Sequence, residues 1–243
     1  MLSRTQAIRN FLQQCGSPKD LVDLYTPEME CHVNVMPLNN KVLKNQEYKG
    51  HKFNAYQDLE DGTTYKPFRI PWDSMKETAH YSDPPMSFDL KKYCEGVGMT
   101  GWNFVTKQSL WFGYDFDSMI NHGKGLTDED LEAIRIAVYN LDYVTVRKST
   151  TGSGLHIYVF VDPVDTKTHT EHQSLARAIL DKMSLDSGYE LQTKVDQLGS
   201  ILWVWATKME GTDGLTLLKK GGVLKDIPLN WKAHEGVINR KTH

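Results

Sequence analysis

The chain has 243 residues, a formal net charge of −3 and 40% hydrophobic residues. This length and composition indicate one large or two small globular domains and exclude a disordered chain. The charge excludes a global basic field of the kind that coats nucleic acid, although a local basic groove remains open. The sequence contains no run of about 18 apolar residues, so we expect a soluble chain with no membrane partner.

The three cysteines, Cys15, Cys31 and Cys94, lie far apart and form no CxxC pair. This spacing predicts no disulfide framework and favours a reducing compartment. Cys31 is followed by His32, but no second pair follows at zinc-finger spacing, so we do not expect zinc. The amphipathic N-terminus lacks the apolar core of a signal peptide, and we therefore expect a cytoplasmic protein.

The first hundred residues predict a series of short elements. The spacing of apolar residues predicts a helix over residues 5–15. The segment ECHVNVMPL alternates and predicts a strand that ends at Pro37. Short strands and turns are predicted for residues 50–72, and a short helix is predicted from Phe88 to Glu95.

The rest of the chain predicts longer elements. A strand is predicted over residues 109–117, and Thr127 with Asp130 predicts a capping box for a helix over residues 128–140. The segments YVTVRKS and GLHIYVFV predict a hairpin around the turn TTGSG. A second helix and two further strands are predicted at 168–186, 191–196 and 201–206. The order of elements indicates an α/β (α+β) protein whose mixed or antiparallel sheet is flanked by helices.

Two aspartates, Asp115 and Asp117, end the most aromatic strand of the sequence, LWFGYDFD. Side chains two residues apart on a strand share a face and lie about 6.5 Å apart along it. Two carboxylates on one face repel each other unless a cation lies between them, and hard Mg²⁺ prefers carboxylate oxygen. The alternative is a strand end that reaches solvent, since the DxD pattern is common.

The hairpin RKSTTGSGLHIYVFV carries a second group of polar residues. Its turn, Gly152-Ser153-Gly154, is expected to leave backbone N–H groups free to face an anion. Ser153 can donate a hydrogen bond, and His156 opens the next strand, paired with a strand that carries Arg147 and Lys148. These groups could hold a triphosphate. A plain hairpin turn with exposed polar residues is the alternative.

A third acidic residue, Asp196, stands in KVDQLGSILWVW, between an apolar approach and an apolar strand. A lone aspartate at a strand end is usually a turn former. Its position becomes informative through the order of the three features along the chain. DxD comes first, Ser-x-x-His follows, and an apolar residue with aspartate comes last.

In this order the three features resemble the catalytic signature of the archaeo-eukaryotic primase superfamily. The matching segments are LWFGYDFD, SGLH (Ser153 to His156) and KVD (Val195, Asp196), and the phage and plasmid primase-polymerases are most similar. The resemblance covers about residues 98–210. It implies a catalytic core with an RRM-like sheet over residues 99–243. Residues 1–98 would form an N-terminal αβ module packed as part of the same domain.

The resemblance also implies roles for individual residues. Asp115, Asp117 and Asp196 would hold two divalent ions, Mg²⁺ or Mn²⁺, that activate a 3′-hydroxyl and clamp the incoming triphosphate. His156 is grouped with these aspartates as catalytic, chiefly through phosphate binding. The remaining nucleotide-binding residues would be Ser153, Gly154, Arg147, Lys148 and Lys208.

The implied function is a template-directed nucleotidyltransferase, a DNA primase or DNA polymerase or both, in phage or plasmid replication. Its partners would be a single-stranded DNA template and dNTP or NTP, with no organic cofactor. A helicase domain or protein is a further expected partner. The location would be the host cytoplasm for a phage-encoded chain.

Two other classes of function remain open at this point. DxD also serves sugar-nucleotide transferases and nucleases, although residues 1–100 lack the βαβ units expected before a glycosyltransferase DxD. A non-catalytic nucleic-acid or nucleotide-binding module is the second alternative. The presence of all three carboxylates argues against it.

Overall fold

The computed structural model describes most of the second half of the chain and separate parts of the first half. The described residues are 4–24, 33–37, 47–48, 51–52, 57–58, 64–65, 70–71, 94–103, 106–118 and 125–234. Within these ranges every helix is too short or too polar to cross a bilayer. The chain divides into two compact units. They are Met1–Gly98 with Trp203–Thr207, and Met99–Leu202 with Lys208–His243.

Fifteen strands and four α-helices are described. The helices are α1 (Arg4–Gln14), α2 (Lys19–Val22), α3 (Asp128–Tyr139) and α4 (His169–Ser187). The first seven strands are β1 (Val33–Pro37), β2 (Glu47–Tyr48), β3 (His51–Lys52), β4 (Gln57–Asp58), β5 (Thr64–Tyr65), β6 (Ile70–Pro71) and β7 (Cys94–Met99). The remaining strands are β8 (Trp102–Asn103), β9 (Gln108–Phe116), β10 (Val144–Lys148), β11 (Leu155–Asp165), β12 (Gln197–Leu198), β13 (Leu202–Ala206), β14 (Leu217–Lys219) and β15 (Val223–Leu224).

The first unit contains α1, α2 and a four-stranded sheet in the order β13-β7-β1-β6. Two short antiparallel ladders, β2 with β3 and β4 with β5, agree with the short strands predicted for this region. The helix predicted over residues 5–15 is confirmed as α1. The helix predicted from Phe88 to Glu95 lies mostly outside the described residues, and its last two residues belong instead to β7. Glycines at 96 and 98 disfavour a helix there, because each costs about 1 kcal/mol relative to alanine.

The second unit is built on a larger sheet in the order β12-β9-β11-β10-β14. The long central strands β9 and β11 are antiparallel, as are β10 and β11, which form the predicted hairpin. β8 adds to β9, and β15 pairs with β11 in parallel. The sheet is therefore mixed and mainly antiparallel, as the sequence indicates.

One face of this sheet packs on the two long helices. Alternate residues of β9, β10 and β11 enter a shared hydrophobic core with α3 and α4. From the sheet the core takes Phe112, Tyr114, Phe116, Val144, Val146, Ile157 and Val159, and from the helices Leu131, Ile134, Val138, Leu175, Ile179 and Met183. Because side chains alternate along a strand, the residues between them lie on the opposite face. That face carries Asp115, Arg147, His156 and Tyr158.

The ends of the two helices follow from local sequence. Thr127 accepts a hydrogen bond from the Asp130 amide, and the Asp130 carboxylate accepts one from the Thr127 amide, so the predicted capping box is confirmed. The Thr168 side chain caps α4 by accepting a hydrogen bond from the Glu171 amide. Gly188 ends α4 in the left-handed region, at φ 68°, which glycine adopts without steric cost.

The strand predicted over residues 191–196 is wrong. These residues form a turn in which the amides of Lys194 and Val195 both donate to the carbonyl of Leu191. Leu191 and Val195 are fully buried, and their four-residue spacing places them on one side of a helical turn rather than on alternate faces of a strand. In this part of the chain a strand begins only after Asp196, where the short β12 pairs with β9.

Candidate metal and nucleotide site

Three carboxylates from distant parts of the chain meet at one end of the second unit's sheet. Asp115 lies on β9, Asp117 follows the end of that strand, and Asp196 follows the turn after α4. The amide of Asp196 donates to the carbonyl of Asp115 at 2.8 Å, so a backbone hydrogen bond joins the two segments. One oxygen from each carboxylate lies within 4.8 Å of the others.

This group of donors fits a hard divalent cation. Asp115 and Asp117 are partly exposed, whereas Asp196 is only 1% exposed. Adjacent oxygen ligands of one octahedral Mg²⁺ lie about 3.0 Å apart and opposite ones about 4.2 Å, so side-chain shifts of about 1 Å would bring the three oxygens into one coordination sphere. Three close carboxylates also repel one another, and a cation removes that repulsion. The acidic group can therefore bind divalent metal ions.

His156 lies directly opposite Asp115 across the β9–β11 pair. Its Nε2 atom is 3.6 Å from Oδ1 of Asp115. Burial, together with the positive charges of Lys208 and Arg147, lowers the pKa of His156 to about 3. The ring is therefore neutral near pH 7. Within the described part of the chain its Nδ1 atom has no hydrogen-bond partner, so the ring retains one unused polar atom.

Arg147 lies on β10, where it pairs with His156 of β11. Arg147 is only 2% exposed. Its Nη1 donates to the carbonyl of Leu215 at 2.5 Å. Burial lowers the pKa of this guanidinium, although arginine stays charged under ordinary conditions. Arg147 thus brings a buried positive charge to the face that carries His156 and holds the chain around Leu215 against β10.

Lys208 lies in the short helical turn Thr207–Met209 and is exposed. Its positive charge contributes to the lowered pKa of His156, so the ammonium lies within electrostatic range of that ring. An exposed lysine with this position can meet a phosphate without first losing a buried partner. The contact of Lys208 with a triphosphate stays a prediction.

Lys148 takes a different direction from Arg147. It pairs with Leu155, whose side chain enters the core, so strand alternation directs Lys148 away from His156. Its ammonium forms an ion pair with Asp213. The structure does not bring Lys148 together with the three carboxylates.

The glycine-containing turn differs from the expectation of free amides. The amide of Gly152 donates to the Ser149 carbonyl at 3.0 Å, and that of Gly154 donates to Ser149 Oγ at 2.9 Å. Two of the three amides expected to face an anion are therefore used within the turn. The Ser153 hydroxyl lies 2.8 Å from the hydroxyl of Thr151.

Gly154 has a packing role that the sequence pattern does not show. A Cβ atom there would lie 2.5 Å from the Phe116 carbonyl and 3.2 Å from Ser149 Oγ. The turn therefore packs directly on the end of β9, between Asp115 and Asp117. Gly154 permits that approach.

Sequence reasoning missed the support of this turn by residues 213–217. The Leu215 amide donates to the Ser149 carbonyl at 3.1 Å, and the Lys148 amide donates to the Thr216 carbonyl at 2.9 Å. Asp213-Gly214 is a recognisable turn signal. Its partner, more than 60 residues earlier, cannot be read from the local pattern.

No protein-family model matches the chain, and no curated protein matches it. Among solved structures the chain is similar to the AEP domain of the cyanophage S-2L primase-polymerase (PrimPol). The TM-score is 0.40 and the sequence identity 8%, over 90% of this chain and 99% of that chain. A similarity at this level carries no weight in the functional argument, which depends on the site itself.

Proposed function

We propose that this chain is a template-directed nucleotidyltransferase, a DNA primase or DNA polymerase or both, of the archaeo-eukaryotic primase superfamily. One observation carries the proposal. Asp115, Asp117 and Asp196 belong to two motifs separated by about 80 residues, and their carboxylates converge. Oδ1 of Asp115 also lies 3.6 Å from Nε2 of His156, which belongs to the motif between these two in the sequence. The same three motifs occur in the superfamily order along the sequence.

In this proposal the carboxylates hold divalent ions, which supply activation of a 3′-hydroxyl and neutralisation of phosphate charge. The protein's own contribution is mainly positional. Asp115 and Asp196 are fixed relative to each other by their backbone hydrogen bond, and His156 stands opposite Asp115. A neutral His156 can donate one hydrogen bond to a phosphate oxygen without first losing a proton.

The positive groups are divided between binding and support. Lys208 is exposed and acts on the site electrostatically, which suits contact with a triphosphate. Ser153 is partly exposed in the turn next to the end of β9, and its hydroxyl can donate to the same ligand. Arg147 adds buried positive charge behind His156. We assign Lys148 a secondary role, because its ammonium is already paired with Asp213.

The test is nucleotide incorporation by EDTA-treated protein after metal is restored. Single-stranded templates, with and without a primer, are incubated with labelled dATP, dGTP, ATP or GTP in Mg²⁺ or Mn²⁺. We expect template-dependent products with the wild-type chain and none with the double variant Asp115→Asn/Asp117→Asn. Asp165→Asn is the matched control, because Asp165 lies at the other end of the β9–β11 pair and is exposed.

Retained incorporation in the double variant would refute the proposal. Transfer from a sugar nucleotide, or cleavage of the template without synthesis, would replace it with another metal-dependent activity. Tight template binding with no product in either metal would indicate a non-catalytic module. Circular dichroism of each variant checks that the loss of activity is not a loss of fold.

A further inference from the structure

Two segments carry the three carboxylates, and a chain of hydrogen bonds connects the segments on the side of α3. The Leu126 amide donates to the Asp117 carbonyl at 2.8 Å. Leu126 precedes Thr127, whose amide donates to Oδ2 of Asp130 at 3.4 Å. The path from Asp117 thus leads directly into the capping box of α3.

The segment that carries Asp196 also contacts the capping box of α3. Lys194, two residues before Asp196, donates from Nζ to Oδ1 of Asp130 at 2.8 Å. The two oxygens of the Asp130 carboxylate therefore accept different hydrogen bonds. Oδ2 accepts from the Thr127 amide in the helix cap, and Oδ1 accepts from Lys194. This hydrogen bond lowers the pKa of Asp130, which keeps the carboxylate charged.

A second connection between the two segments is the hydrogen bond that the Asp196 amide donates to the Asp115 carbonyl. The turn before Lys194 is itself fastened to α4. The Leu191 amide donates to Ser184 Oγ at 3.1 Å, and Gln192 Nε2 donates to Asp181 Oδ1 at 2.8 Å. The ion pair between Asp130 and Lys194 also connects this turn to the N-terminus of α3, which follows the hydrogen bond between Leu126 and Asp117.

We propose that Asp130 and Lys194 are positioning residues that set the separation of Asp196 from Asp115 and Asp117, and so the affinity of the site for a divalent cation. Neither residue touches the cation. Their ion pair fixes the approach of the turn that carries Asp196 to the segment that carries Asp117. This inference rests on the proposed metal site and deepens it by naming residues that shape it.

The sign of the effect separates positioning from simple electrostatics. Lys194→Met removes a positive charge two residues from Asp196, and electrostatics alone predicts tighter binding of a cation. Loss of positioning predicts weaker binding, because the carboxylates are less well preorganised. Since partly exposed ion pairs contribute little, we expect the Mn²⁺ dissociation constant to rise about threefold to fivefold.

The measurement is Mn²⁺ binding to the EDTA-treated chain without nucleotide, followed by electron paramagnetic resonance of free Mn²⁺. Lys194→Arg retains the charge and a donor, and it should bind within about 1.5-fold of wild type. Asp130→Asn keeps an acceptor for the helix cap but loses the ion pair, and it should weaken binding as Lys194→Met does. Combined with Lys194→Met, it should add little further weakening, because the two changes remove the same interaction.

Lys182→Met is the matched control. The Lys182–Asp186 pair has an N–O distance of 3.0 Å and side-chain exposures of 27% and 29%, against 31% and 30% for Lys194–Asp130. It spans one turn of α4 and does not join the segments that carry the carboxylates. Lys182→Met should leave the Mn²⁺ dissociation constant unchanged, and thermal unfolding in EDTA should show similar midpoints for the two methionine variants.

Unchanged or tighter Mn²⁺ binding in Lys194→Met would overturn the inference, as would equal weakening in Lys182→Met. Mn²⁺ binding by the wild-type chain that weakens in Lys194→Met, without nucleotide incorporation under any condition, would remove the proposed function and leave the positioning role in place. Nucleotide incorporation by the wild-type chain, with no change in Mn²⁺ affinity in Lys194→Met, would support the proposed function and remove the positioning role.

Discussion

Gly154→Ala should damage both the stability of the chain and its metal site. The added Cβ would lie 2.5 Å from the Phe116 carbonyl, which belongs to the backbone of a central strand and cannot rotate away. To reach an ordinary contact, the hairpin turn and the end of β9 must separate by about 0.9 Å or more. Overpacking of this kind costs about 1–3 kcal/mol.

The expected change is large enough for a direct thermal measurement. For a chain of this length, 1 kcal/mol lowers the unfolding midpoint by about 2–4 °C, so Gly154→Ala should lower it by about 2–12 °C. Circular dichroism in EDTA measures the midpoint, and Mn²⁺ titration measures the site. Because the displaced strand end lies between Asp115 and Asp117, Mn²⁺ binding should weaken as well.

Gly222→Ala is the matched control for this prediction. A Cβ at Gly222 would lie 3.8 Å from the Asp142 carbonyl, which is an ordinary contact, and we expect a change within about 0.5 kcal/mol. A Gly154→Ala midpoint within 1 °C of wild type, by the measure of about 2–4 °C per kcal/mol, would show that the turn moves freely and that the packing argument is wrong.

Three further predictions concern the carboxylates, two histidines with lowered pKa values and the helix cap. Mn²⁺ at a hundredfold excess over its dissociation constant should stabilise the wild-type chain by about 2.7 kcal/mol in thermal unfolding, and Asp196→Asn should lose this gain. Burial lowers the pKa of His156 to about 3 and lowers that of His169 as well, so the unfolded chain binds more protons below pH 6.5. Metal-free stability should therefore fall as the pH falls below 6.5, by up to about 1.4 kcal/mol per pH unit for each ring. Urea unfolding across pH 4.5–7.5 should show a shallower decline for His156→Gln, and an identical decline would contradict the assignment of a buried neutral ring. Thr127→Ala should cost about 1 kcal/mol in the same urea assay, because α3 loses its capping hydroxyl; an unchanged midpoint would mean that another group caps the helix.

The elements with strong local signals were predicted well from the sequence. β9 combines an apolar alternation with a clear end, α3 has a complete capping box, and the β10–β11 hairpin has its glycines at the turn. Each of these signals lies within about ten residues, so no distant contact is needed to interpret it. The proximity of the three carboxylates followed from the resemblance of the motifs rather than from the periodicity alone.

The parts that were not predicted depend on distant partners. Arg147 looks like any basic strand residue, but its guanidinium is buried because Leu215, 68 residues later, offers a carbonyl. Glycines in a turn can leave amides free to face an anion, or they can let another backbone segment approach closely. Gly154 has the second role, because the Phe116 carbonyl lies against it. The turn at residues 191–196 resembles a strand in composition, and its four-residue spacing of Leu191 and Val195 is the signal that distinguishes it.

The hydrogen bond between Asp196 and Asp115 joins main-chain atoms, and this has a practical consequence for capturing bound states. The hydrogen bond itself uses the Asp196 amide and the Asp115 carbonyl, and it does not require a carboxylate at position 196. Asparagine at position 196 would therefore remove one ligand charge and keep the amide that donates this hydrogen bond. Such a variant is a natural choice for trapping a bound template in an unreactive complex suitable for structure determination.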